Sequence, residues 1–147
     1  MEIELLTYLN DPRQPRGIRN NNPGNIRVSK ALWVGKVDEG LSKDKSFEQF
    51  KKYWHGVRAL IVILRSYYNK HNLTTIEQII TRWAPPKEND TKSYINQVSN
   101  HCGFLSTQKI QWIEDEIYLI VEAIIQHENG KKGFLTKEIF ELAWKKL

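Results

Sequence analysis

The chain has a single cysteine, Cys102, which excludes an intramolecular disulfide framework and a multi-cysteine zinc site. It has no long apolar run. The longest, residues 59–64, stops at Arg65, well short of the ~20 residues a helix needs to cross a bilayer. It has no basic leader: Met-Glu-Ile-Glu-Leu-Leu-Thr opens acidic and does not read as a secretory signal. Synthesis as a soluble cytoplasmic product is the resulting expectation. Gly-X-Y periodicity and solenoid repeats are missing too. What remains is globular in kind. Of 147 residues, 40% are hydrophobic and 27% charged, which excludes wholesale disorder and predicts one domain over residues 1–147 with a real core. Residues 1–15 read as an N-terminal extension and residues 131–147 as a C-terminal helical segment.

Charge is unbalanced: 22 basic against 17 acidic residues give a net +5. Such a chain is drawn to polyanions, nucleic acid and an anionic cell wall among them. A solubilising surface would show the same balance.

The hydrophobic pattern is mostly helical. Val57, Leu60, Ile61, Leu64 and Tyr68 recur at three- and four-residue steps, predicting a helix over 53–69. Thr74-Thr75-Ile76-Glu77 is a capping-box pattern opening a short helix to about Trp83, which Pro85-Pro86 ends. Asp90 is a good N-cap for a helix over 91–101. Ile113, Ile117, Ile120, Val121 and Ile124 stripe a longer helix over 109–128, stopped by Asn129-Gly130. A last helix spans 136–146. Residues 13–29, with their Arg, Pro, Gly and Asn, read as loop. Residues 32–34 and 46–50 have strand-like composition and predict a small hairpin. The fold class is therefore mainly α, with a minor β piece.

Three segments carry polar groups that a core does not need. The first is Gly17-Ile18-Arg19-Asn20-Asn21-Asn22-Pro23-Gly24-Asn25-Ile26-Arg27. Each carboxamide can hold a turn, so the run is either a self-bonded loop or one that positions a ligand rich in hydroxyl and acetamido groups. The second is His127-Glu128-Asn129-Gly130, closing an apolar helix. A carboxyl at a helix C-terminus faces the negative end of the dipole. Partial burial also disfavours its charged form, so Glu128 suits a glycosidase general acid. The plainer alternative is an exposed terminal glutamate. A metal reading of His127-Glu128 is weak, because no second histidine follows at the zinc-protease spacing. The third is Trp83-Ala84-Pro85-Pro86-Lys87-Glu88-Asn89-Asp90-Thr91-Lys92-Ser93-Tyr94. Its indole beside polar groups suits stacking on a sugar, while capping and packing would explain the same residues.

Together these segments resemble a family of small phage and prophage lysozyme-like proteins, often labelled virion structural proteins. Trp33 between the first two segments, and the Phe47/Phe50 pair, are similar as well. A wider resemblance is to goose-type lysozymes, lytic transglycosylases and bacterial glucosaminidases, read in rotated order. Those proteins end an apolar helix in Glu-Ser-X-Gly, to which Glu128-Asn129-Gly130 with its preceding helix is similar. Asn21-Asn22-Pro23-Gly24-Asn25-Ile26-Arg27 resembles the glucosaminidase Asn-Asn run, and Thr91 to Ile95 the transglycosylase Glu-Thr-X-X-Tyr-Val. Here the Glu-bearing helix comes last, and a circular permutation would account for that order.

The resemblance implies a lysozyme-like helical domain that cleaves β-1,4 bonds of peptidoglycan. Glu128 would be the general acid, with Tyr94 and Thr91 flanking the cleft as further catalytic residues. Asn21, Asn22, Asn25, Trp33, Trp83, Glu88, Asp90 and His127 would bind substrate, with Trp33 and Trp83 as stacking walls. Glu39, Glu88 and Asp90 are candidates for a second carboxylate. Neither cofactor nor metal is implied. The glycan strand is the expected partner, with a virion component or cognate inhibitor as a further one, and the chain is expected to be a monomer. It would reach the periplasm or cell wall by phage lysis, virion delivery or secretion-system export. The rival expectation is a non-catalytic virion or wall-binding protein on the same fold. Nucleic-acid binding is disfavoured, since no known motif and no clean Lys/Arg helix stripe is present.

Overall fold

The computed structural model describes residues 2–147, and helices form where an apolar stripe meets a cap. In chain order they are α1 (Arg16–Arg19), α2 (Tyr53–His71), α3 (Ile76–Trp83), α4 (Thr91–Cys102), α5 (Glu114–Asn129) and α6 (Lys137–Lys145). A 3-10 turn, Ile3–Leu5, precedes them. α2 packs on α6, α4 on α5, and α3 on α4. Their stripes meet in one core that includes Leu60, Ile61, Leu64, Ile80, Val98, Ile120, Ile124 and Phe140. Each fully buried aliphatic side chain contributes about 1.5–3 kcal/mol. No helix of the described residues is long and apolar enough to cross a membrane.

Caps set the helix bounds. Thr75 accepts from the amide of Gln78 at 3.2 Å, and the Gln78 side chain accepts from the amide of Thr74 at 2.9 Å. The expected N-cap is thus realised one residue later, at Thr75, and the reciprocal bond of a capping box is not made: Gln78 reaches past the cap to Thr74. Asp90 caps α4 by accepting from the amide of Ser93 at 3.2 Å. Gly130 closes α5 at φ 69°. α5 begins at Glu114 and not near Lys109, because Lys109 bridges Thr75 and the amide of Ile110 donates to the Thr74 carbonyl at 2.8 Å. That pairing holds the chain extended ahead of the helix.

Two expectations for residues 13–50 are corrected. Residues 13–29 contain α1, a single turn whose Gly17 and Ile18 are buried. The hairpin is reduced to isolated antiparallel bridges, Arg27 with Phe47 and Lys36 with Phe50. Residues 46–51 lie centrally, flanked by residues 26–28 on one side and 35–37 on the other. Leu32 and Val34 pair with neither, and Leu32 is 96% exposed. The turn at Gly35, φ 76°, delivers the next residues to the bridge instead. Beneath lies a second small core of Ile26, Phe50 and Ala59, with Trp33 and Trp83 packed against it. The N-terminal segment is tied to the start of α2: the Leu6 carbonyl accepts from the Tyr53 amide at 2.9 Å, and Tyr8 sets its ring edge-on to Tyr53. Met1 lies outside the described residues.

Candidate functional site

The Asn-rich run is held together largely by its own carboxamides. Asn21 is fully buried. Its side chain donates to Thr7 Oγ1 at 2.8 Å and the Phe50 carbonyl at 2.9 Å, and accepts from the Tyr8 amide at 2.8 Å. Asn22, also fully buried, donates to the carbonyls of Ile26 and Glu48 and accepts from the Ile26 amide. Asn20 donates to Asp44 and accepts from Gln49. Asn21 and Asn25 sit in the left-handed region at φ 52° and 51°, where asparagine is among the few side chains that settle. The expectation that Asn21 and Asn22 face a ligand is therefore corrected: they build the loop, and Asn25 is what it presents.

Asn25 reaches the end of α5. Its Nδ2 donates to Glu128 Oε1 at 3.1 Å. Glu128 Oε2 accepts from the Tyr94 hydroxyl at 2.9 Å, and that hydroxyl accepts from Trp83 Nε1 at 3.2 Å. A polar chain Trp83–Tyr94–Glu128–Asn25 thus joins α3, α4, α5 and the loop. Burial, and then the charge of Glu128 when it is ionised, hold the Tyr94 phenol far above its ordinary range, so it is a neutral donor at any physiological pH. Asn129 clamps the junction, donating to the Pro23 carbonyl at 2.8 Å and the Ile125 carbonyl at 2.9 Å.

Gly17 fits this junction by having no side chain. A Cβ there would stand 2.6 Å from Asn129 Oδ1 and 2.7 Å from Asn25 Oδ1. Both oxygens are buried without a conventional partner. They fill the space that a side chain at position 17 would take.

Glu128, half-buried, opens onto a cleft of about 340 Å³ lined also by Gly24, Asn25, Arg27, Phe47, Ile63, Tyr67, Trp83, Glu88 and Asn89. Larger hollows lie elsewhere, but none contains Glu128. The structure thus brings Asn25, Trp83, Tyr94, Glu88 and Glu128 to one place. Other expected site residues stand apart. Thr91 is buried, and its hydroxyl donates to the Ala84 carbonyl, locking the proline loop. Asp90 serves as the α4 cap. Trp33 packs on the small core and, with Glu39, lines a different hollow. His127 stacks on Tyr94 with ring centroids 3.6 Å apart and bonds Gln97, lining the hollow on the α4–α5 side. Burial pushes its imidazole below the ordinary histidine range, with Glu128 opposing.

Arg27, Phe47, Tyr67 and Asn89 line the cleft without a site role in the sequence reading, as do the small or apolar Gly24, Ile26, Ile63 and Ala84. Arg27 closes the Asn-rich run and Phe47 opens the Phe-X-X-Phe run, so both stood inside noted motifs without a role. Asn89 sat in the proline loop, and Tyr67 carried no signal beyond helix periodicity.

The fold and the cleft define a mainly α protein with a hydrogen-bonded carboxyl at its centre. No family model matches the chain. It is 45% identical over 128 residues to Protein P5 of Pseudoalteromonas phage PM2, covering 84% of this chain and 77% of that protein. The chain belongs to the family of that phage protein.

Proposed function

We propose that the protein is a peptidoglycan-cleaving glycosidase in which Glu128 protonates the leaving glycosidic oxygen. One observation carries this reading: Asn25, Tyr94 and Glu128, from three segments far apart in sequence, converge on a single carboxyl that opens into a cleft. The neutral Tyr94 phenol and the Asn25 carboxamide fix both carboxyl oxygens, so the acid keeps one orientation through the reaction. Trp83 and Tyr67 offer apolar faces to a sugar ring, and Asn89 offers amide groups. The resemblance to permuted lysozyme-like proteins and membership of a phage protein family support the same reading. Delivery to the wall would follow phage lysis, virion entry or export.

Among the carboxylates weighed as partners of Glu128, Glu88 lines the cleft, whereas Glu39 lines another hollow and Asp90 caps a helix. We assign Glu88 to substrate contact.

Glu128→Gln keeps size and hydrogen bonding but removes the transferable proton. Since general acid catalysis is worth about 10²–10⁴-fold, this variant is expected to fold, to bind peptidoglycan, and to lose at least about a hundredfold in cleavage. Glu88→Gln is expected to lose less. Digestion of purified peptidoglycan with mass analysis of the fragments checks both, and also separates muramidase, glucosaminidase and transglycosylase products. Equal clearing by wild type and Glu128→Gln would sink the assignment, and a wild type that binds walls without cutting them would support a non-catalytic virion role.

A further inference from the structure

The cleft wall carries one cation whose charge nothing in the described structure answers. Arg27 is exposed, lines the cleft with Glu128, and forms no ion pair or side-chain hydrogen bond among the described residues. Its guanidinium stands 5.2 Å from the centre of the Phe47 ring. The antiparallel bridge between Arg27 and Phe47 fixes the backbone under both. Neighbouring cations are engaged otherwise. Arg16 contacts the same ring at 4.5 Å but makes a two-pronged pair with Asp44 at 2.8 and 2.9 Å. Lys36 pairs with the buried Glu48 at 3.0 Å. Glu88, on the same lining, makes no ion pair with Arg27. A guanidinium supported on an aromatic ring keeps its N–H donors available for a carboxylate.

We propose that Arg27 is a specificity-determining residue that binds a carboxylate of the peptide stem on the glycan, and so selects peptide-bearing strands over uncharged N-acetylated β-1,4 glycans. The inference rests on the glycosidase reading, since it places the glycan in the Glu128 cleft. Arg27 sits apart from the Trp83–Tyr94–Glu128–Asn25 chain, so it acts on which strand is held and not on proton transfer. The carboxylate is assigned to the stem and not to the lactyl group, because in the intact polymer the lactyl carbonyl is an uncharged amide.

The test compares wild type, Arg27→Gln and Arg27→Lys on three glycans: soluble peptide-bearing peptidoglycan, the same strands with their stem carboxylates converted to amides, and chitin oligosaccharides. Loss of a charge-assisted contact is worth about tenfold or more. The KM ratio between chitin oligosaccharides and peptide-bearing strands is therefore expected to shift at least about tenfold against the peptide-bearing strands in Arg27→Gln, with kcat little changed. Arg27→Lys should recover part of the loss, and raised salt should shrink it. Binding of each variant to the insoluble form of each glycan is measured in parallel, with a thermal melt as the folding control. Equal effects on all three glycans, or none, would overturn the proposal, and a loss as large on amidated as on untreated peptide-bearing strands would overturn the stem assignment. If wild type cuts nothing while binding still depends on Arg27 and on the stem, the anchor stands and the catalytic reading falls. If cleavage proceeds and binding ignores Arg27, the reverse holds.

Discussion

Asn21, Asn22 and Asn25 have the same side chain and opposite fates. The first two are sealed inside with every hydrogen-bonding group of the carboxamide engaged, and the third meets a carboxyl at the edge of a cleft. Sequence alone marks the run as unusual but cannot rank its members, because the ranking depends on Thr7, Phe50 and Glu48, which the fold brings in from elsewhere. Cys102 is the opposite case: its sequence neighbours offer no group that would activate a thiol, and the fold agrees. It is 8% exposed, and burial, then the charge of Glu122, push its thiol up to about 12. Only the thiolate reacts, so Cys102 in the native protein is expected to resist alkylation at pH 8 and to react once denatured. Cys102→Ser should keep wall-degrading activity within a few-fold. Rapid labelling of the folded protein, or loss of activity in a folded variant, would contradict this.

At the scale of elements, apolar stripes made α2 and α5 legible, and capping residues made α3 and α4 so. The largest shift in bounds is at the start of α5, where residues 74–75 compete for the backbone; α2 and α6 differ from expectation by one or two residues. α1 was not legible: one turn is too short for a period to show, and its existence depends on docking. Where this turn meets the loop and α5, the tolerance for added atoms is small. A methyl group at Gly17 would have to displace Asn25 and Asn129 together. Overpacking of this kind costs about 1–3 kcal/mol. Gly17→Ala is accordingly expected to lower the melting temperature by a few degrees and, by disturbing the donor to Glu128, to reduce cleavage at least about tenfold. Calorimetry and wall digestion read the two effects. An unchanged melt with full activity would mean that the junction yields more freely than its geometry indicates.

For the molecule as a whole, the bridged platform of residues 26–51 is tied to α1 and the Asn-rich run at several points, and Asp44 is prominent among them. Its carboxylate accepts from Arg16, Asn20 and the amides of Ser46 and Phe47. The Arg16 guanidinium, against some desolvation, keeps its carboxyl well below the usual aspartate range. A depressed folded-state pKa stabilises the fold above the unfolded value of ~4, and that stability is lost as pH falls toward the folded value. Asp44→Asn is therefore expected to unfold at lower denaturant than wild type at pH 7, with the gap closing as the pH drops below ~4. A gap that persists in acid would show that Asp44 acts by shape and not by charge.

Asn25 and Glu128 are 103 positions apart in the chain, and so the meeting of loop and helix also bears on when the site comes into being. Contacts of such long separation must overcome loop-closure entropy before they add any stability, and they slow folding. The helices can form, and α4 can pair with α5 and bring Tyr94 to Glu128, while Glu128 still lacks Asn25. The arrangement around it then appears only when α5 docks on residues 23–25, so its emergence is a late event in the life of a newly made chain, and an incompletely folded molecule carries all of its residues without the constellation.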